Sequence, residues 1–176
     1  VRAIVTGPAG GGKTTLCRGL AAAARAAGRD VAGVLCPALF DGSGKTGIAV
    51  TDLRGGETRT LARRREGGAR APGPPRKWLF DEAALAWGDG LLARAAPCDL
   101  LVVDELGPLE FDEGRGWTAG LAAVDSGDFD AALVVVRPAL LERARARWPS
   151  ATVVDAAAPG AAARLAAWLA GAGGTP

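Results

Sequence analysis

Residues 2–16 read Arg2-Ala3-Ile4-Val5-Thr6-Gly7-Pro8-Ala9-Gly10-Gly11-Gly12-Lys13-Thr14-Thr15-Leu16, and their order decides the fold. Arg2 to Thr6 is a β-rich run, Gly7 to Gly12 a glycine cluster, and Lys13 to about Ala27 a helical stretch, giving strand, loop, helix. Gly7 to Thr14 fits G-x-x-x-x-G-K-[ST], a spacing that gains its meaning from the strand before it and the helix after it. Successive backbone N–H groups in such a turn form an anion-binding concavity, and the helix N-terminus adds about half a positive charge. A triphosphate is the natural guest. Pro8 and Ala9 complete the loop, while Gly10, Gly11 and Gly12 admit a close approach that a Cβ obstructs. Lys13 would reach the outer phosphates, Thr14 would ligate Mg²⁺ through its hydroxyl, and Thr15 is the adjacent group for the inner phosphate. A second Gly-Lys-Thr, Gly44 to Thr46, lacks this context. Leu39 takes the place of its first glycine and the strand-like Gly47-Ile48-Ala49-Val50 follows, so it reads as a turn.

Working outward, Val31 to Leu35 is a second apolar run behind the Gly28 helix stop, and Gly47 to Leu53 with Thr58 to Leu61 reads as a β-hairpin or meander insertion. A helix is expected from Phe80 to about Ala96, with Asp81 and Glu82 in its first turn and Pro97 as its stop. Leu100 to Val103 is a continuous apolar run of the kind buried on both faces of a parallel sheet, with Asp104 at its carboxyl end. A helix around Trp117 to Val124, a strand Ala132 to Val136, a helix Pro138 to about Arg147, a strand Thr152 to Val154 and a helix Ala161 to Ala170 continue the alternation. The expected architecture is α/β, a Rossmann-like and mainly parallel sheet with helices on both faces, forming a single domain over residues 1–176.

Phosphate-bound Mg²⁺ prefers an octahedral oxygen shell with one or two protein ligands. Asp104 suits that role, on a strand expected to lie next to the one that feeds the glycine loop. Glu105 follows directly and is placed to accept a hydrogen bond from attacking water, with Glu110 as a second acid at the mouth. Asp104-Glu105-Leu106-Gly107 also fits the D-x-x-G of regulatory GTPases, but the chain has no Asn, so the guanine-reading N-K-x-D motif is absent and base preference stays open. Arg137 follows the strand ending at Val136 and should emerge at the same sheet edge, either to stabilise transition-state charge or as a rim arginine paired with a carboxylate.

Composition narrows the chemistry further. The 176 residues are 49% hydrophobic and 23% charged, with 21 basic against 19 acidic side chains and a net charge of +2, the profile of one soluble globular domain. No apolar run approaches the roughly 18 residues of a membrane span, and the N-terminus lacks signal-peptide order, so a cytoplasmic protein is expected. Cys17, Cys36 and Cys98 form no CxxC pair, which argues against a zinc site and a disulfide framework. His, Asn, Gln, Tyr and Met are all missing, which excludes Ser-His-Asp triads, histidine-ligated metals and a glutamine-oriented water. Without a methionine, Val1 reads as an alternative start, a processed end or a trimmed one.

Arg54, Arg59, Arg63, Arg64, Arg65, Arg70, Arg76 and Lys77 crowd one segment against only Glu57 and Glu66. Residues 63–77, rich in Arg, Gly and Pro, read as a mobile loop. Three readings compete: a lid whose arginines close on phosphates, as in nucleotide kinases, a nucleic-acid patch, or a solvated loop. The absence of interleaved aromatics disfavours nucleic acid. The five tryptophans read as packing residues, with Trp78 or Trp87 as the candidates to stack on a nucleobase.

Gly7 to Leu16 together with Val103-Asp104-Glu105-Leu106-Gly107-Pro108-Leu109-Glu110 resembles the thermophile-type nucleoside-triphosphatase family, which includes the human cancer-related enzyme. Ala32 to Leu35 and the helix at Phe80 to Trp87 extend the likeness. The resemblance implies a P-loop fold and slow, Mg²⁺-dependent hydrolysis of several nucleoside triphosphates, ATP and GTP among them, to diphosphate and phosphate. It implies that Gly7 to Thr15 hold phosphates, Asp104 serves the metal and Glu105 activates water. Pro108 stands where many members carry lysine, and Asp155 to Pro159 lacks their Asn-Arg. A nucleotide or small-molecule kinase with an arginine lid, or a nucleotide-dependent adaptor, are the alternatives.

Overall fold

The computed structural model describes residues 1–42, 44–65 and 78–172. Five strands run parallel in the order β2 (Val31–Leu35), β7 (Cys98–Leu106), β8 (Phe129–Val136), β1 (Arg2–Thr6) and β9 (Thr152–Asp155). Beyond β2 the same sheet continues antiparallel through β4 (Gly44–Asp52), β5 (Thr58–Arg64) and β6 (Trp78–Phe80), with β3 (Ala38–Asp41) paired to β4.

The period of two along each strand sorts the core into two layers. Leu100, Val102, Leu133, Val135, Ala3 and Val5 face α1 (Lys13–Ala26) and α6 (Ala161–Ala172). Their neighbours Leu101, Val103, Val134, Val136 and Ile4 face α2 (Glu82–Leu92), α4 (Thr118–Ser126) and α5 (Leu141–Arg147). The parallel α/β sheet covered on both faces is as expected. Trp117 and Trp148 are buried in the second layer, and Gly88 of α2 is needed there because a Cβ would lie 2.8 Å from the Trp117 indole nitrogen.

Several local expectations are corrected. The strand carrying Asp104 is not next to β1, because β8 lies between them. At the parallel-sheet spacing the two strands are therefore about 10 Å apart. Gly44 to Thr46 is no turn but the start of β4, held by pairing of Gly44 with Asp41 and Lys45 with Phe40 on β3, a strand without a strong sequence signal. Arg63 and Arg64, assigned to the loop at 63–77, continue β5, while residues 66–77 lie outside the described residues. Phe80 ends β6, and Asp81 caps α2 by accepting the Ala84 N–H at 2.8 Å. That helix stops at Leu92, short of Pro97, and Pro138 to Leu140 is a 3₁₀ turn ahead of α5. Leu35 pairs with Thr51 while Ala38 pairs with Ile48, so the antiparallel wing extends past the carboxyl end of β2.

Candidate active site

The site begins where β1 ends. Gly7, Gly10 and Gly12 have φ of 132°, 76° and 83°, the left-handed region that other residues avoid. Gly7 has a second requirement, since a Cβ there would lie 2.7 Å from Asp155 Oδ1. Gly12 caps α1 without a side chain, and the first turn holds no acidic residue, so no carboxylate of that turn competes for the leading N–H groups of the helix. Gly11 N–H donates to the Pro8 carbonyl at 3.0 Å, closing the turn through Ala9 and Gly10. The Lys13 ammonium is buried and donates to the carbonyls of Gly7 at 2.8 Å and Pro8 at 2.9 Å. Thr14 is half-buried and Thr15 exposed on the first turn.

Alternation along β7 puts Asp104 on the same side as Leu100 and Val102, the α1 side, which is why it reaches the glycine loop across β8. It is 1% exposed, accepts the Cys36 N–H at 3.0 Å and lies close to the Thr14 side chain. Burial pushes the Asp104 carboxyl up to about 6. The Cys36 N–H and the Thr14 hydroxyl work against that shift, the Glu105 charge adds to it, and Lys13 opposes it.

The pairing register between β7 and β8 shifts between Asp104 and Leu106, a bulge that leaves Glu105 out of the ladder. Its Oε1 accepts a hydrogen bond from Arg137 Nε, the residue just past β8. Arg137 thus emerges at the expected edge, bound to the carboxylate assigned to water activation.

Glu110 has a different task from the one expected. It is buried in α3 (Pro108–Phe111), accepting the Gly107 N–H at 2.7 Å and the Trp117 N–H at 2.8 Å, and so fixes the loop leaving β7 instead of standing at the mouth. Arg54 is likewise committed. It pairs with Asp30 at 2.6 Å and donates to the carbonyls of Arg94, Ala95 and Pro97, which removes it from any lid. Trp78 and Trp87 lie beneath Lys45 and Arg59, at 5.0 and 4.3 Å from the ring centroids. Arg70, Arg76 and Lys77 fall outside the described residues. Two contributors were missed in the sequence, the Cys36 N–H and Asp155. Each lies at the carboxyl end of a parallel strand, which is the signal that would have found them.

Among the described residues no helix is long and apolar enough to cross a membrane, and no three His, Cys, Asp or Glu side chains are grouped to hold a metal ion.

Comparison with known proteins gives the same outline. The solution structure of a human cancer-related nucleoside triphosphatase superimposes with a TM-score of 0.74 at 21% identity, covering 99% of this chain and 98% of that one. The crystal structure of THEP1 from Aquifex aeolicus gives 0.69 at 14% identity, covering 96% and 99%. These two share the fold. In sequence, the chain is 33% identical over 106 residues to nucleoside-triphosphatase THEP1 of Ignicoccus hospitalis, covering 60% of this chain and 58% of that one. It is 37% identical over 114 residues to the protein of that name in Thermococcus kodakarensis, covering 63% of each. With the Methanopyrus kandleri protein it shares 31% over 123 residues, 70% of this chain and 67% of the other. The matched chain therefore spans 58–67% of the length of these relatives. A family model described as NTPase matches residues 2–127, well over half of the chain. The chain belongs to this nucleoside-triphosphatase family.

Proposed function

We propose that the protein hydrolyses nucleoside triphosphates, ATP and GTP among others, to diphosphate and inorganic phosphate with Mg²⁺. The observation that carries this reading is that the buried Asp104 carboxyl and the Thr14 side chain come close to each other, which joins the glycine loop at the start of the chain to the acidic strand in its middle. Residues Gly7 to Thr15 would wrap the phosphates with backbone N–H groups, the α1 N-terminus adding its partial positive charge. Lys13 is to exchange its Gly7 and Pro8 carbonyl partners for phosphate oxygens.

The residues present fit Mg²⁺. Asp104 and Thr14 offer two adjacent hard oxygens, the carboxylate is desolvated, and two protein ligands leave the rest of an octahedral shell to phosphate and water. When bound, the ion would supply Lewis-acid neutralisation of charge on the phosphates. Glu105 is the group to orient water and accept its proton, since its side chain is 29% exposed and the chain has no His or Gln for the task. Arg137, one strand closer to the loop, is to stabilise charge on the transferring group. The family relatives carry the name nucleoside-triphosphatase, which supports the reaction class.

The test is phosphate release from a panel of triphosphates by the native chain and by Glu105→Gln. Water positioning by a carboxylate is worth about 10²- to 10⁴-fold, or roughly 3 to 5 kcal/mol of barrier. Turnover should fall by that factor while triphosphate binding is retained. Equal turnover in the variant would refute the role of Glu105, and transfer to an added acceptor faster than release to water would make the protein a kinase.

A further inference from the structure

The charged groups assigned to the substrate all have partners within the chain. Lys13 is held by the Gly7 and Pro8 carbonyls, Asp104 by the Cys36 N–H, and Glu105 by Arg137. The last pair differs from the others because it joins two groups with opposite tasks. While Glu105 Oε1 accepts from Arg137, that oxygen is not free for water, and the guanidinium is not free for phosphate.

We propose that Arg137 occupies two positions. Without a triphosphate it holds Glu105, and a bound triphosphate draws it to the terminal phosphate, which frees Glu105 for water. This deepens the hydrolase reading and rests on it. Three features carry the inference. First, β8 lies between β1 and β7, so Arg137 leaves the sheet between the strand that feeds the glycine loop and the strand that carries the acidic pair. Second, the β7 bulge removes Glu105 from the ladder and leaves it to meet the side chain that follows Val136. Third, the Arg137 side chain is 63% exposed, so it is free to move and its ion pair with Glu105 is of the solvent-screened kind that is cheap to break. A terminal phosphate offers a guanidinium two acceptor oxygens and more charge than one carboxylate, and it is the stronger partner. A diphosphate lacks that group. The pair should then remain closed over the product, so the same arginine distinguishes substrate from product and couples that distinction to the water-activating carboxylate.

A binding cycle tests this directly. The affinities of a non-hydrolysable MgATP analogue and of MgADP are measured by calorimetry for the native chain, Glu105→Ala, Arg137→Ala and the double variant. Removing Glu105 should release Arg137 in advance and tighten the analogue by about two- to fivefold, the range of an exposed ion pair, with MgADP unchanged. In the Arg137→Ala background the same removal should give no such gain, and Arg137→Ala alone should weaken the analogue without weakening MgADP. A gain from Glu105→Ala of equal size in both backgrounds would reduce the effect to plain charge repulsion and overturn the proposal. So would an Arg137→Ala variant that weakens both nucleotides alike or neither. Failure of the native chain to bind either nucleotide would instead contradict the hydrolase reading.

Discussion

The parallel half of the sheet and its antiparallel wing treat charge in opposite ways. Along β2 all five residues are buried, and in β8 the last six are, so both faces of these strands are sealed by helices. Buried polar residues appear there only near strand ends, as Asp104 does, where it accepts the Cys36 N–H. In the wing, Phe40 on β3 is 71% exposed and Leu79 on β6 is 59% exposed, while Arg63 and Arg64 on β5 stand in solvent. A charge attached to rigid, sealed strands keeps a defined position, which is what positioning a phosphate or a water demands. A charge on an exposed strand contributes little beyond solubility. The groups proposed to carry the chemistry therefore sit at the carboxyl ends of the parallel strands, although the wing holds more arginine.

The contrast is sharpest at Asp104. Its carboxyl titrates at about 6 in the folded chain against an ordinary value of 3.8. The folded state thus binds more protons than the unfolded one between those values, and stability in the absence of nucleotide and divalent cation should fall as pH rises from about 4 to about 6. Above that window the loss amounts to about 3 kcal/mol. Asp104→Asn should remove this pH dependence and stabilise the nucleotide-free protein by about that amount at neutral pH, measured by urea unfolding in EDTA. A variant less stable than the native chain at pH 7 would show that Asp104 is not strained by burial. A smaller effect is expected where the wing joins the core. Arg54 ties the turn after β4 to Asp30 and to three carbonyls beyond α2. Arg54→Ala should cost about 1 to 2 kcal/mol in the same measurement, through the lost bonds to Asp30 and the part-buried Ala95 carbonyl. No change would mean that the wing is held by the sheet alone.

The same contrast decides what was legible in the sequence. Val31 to Leu35, Leu100 to Val103 and Ala132 to Val136 are read from their apolar runs because burial on both faces leaves no room for polar residues. The glycine loop is legible because its backbone angles demand glycine at Gly7, Gly10 and Gly12. The order of the strands is not. Nothing in a run of valines says which run lies beside it, and so β8 between β1 and β7 could not be read. That interposition is also what brings Arg137 to Glu105. In the wing, β3 and β6 are short and half exposed, with no pattern to separate them from loop, and Gly44-Lys45-Thr46 passes for a turn until its partners on β3 are known. Glu110 shows a third limit. Its place in the acidic string suggests chemistry, but its oxygens are taken by the Gly107 and Trp117 N–H groups, a use that depends on the path of the chain after β7.

The central claim is that the glycine cradle and the Asp104 strand form one Mg²⁺-triphosphate site. Calorimetric titration of MgATP into the native chain and into Lys13→Ala tests it most directly. Saturable binding to the native chain that is lost in the variant is the predicted result. No heat with the native chain, or equal binding by both, would contradict it.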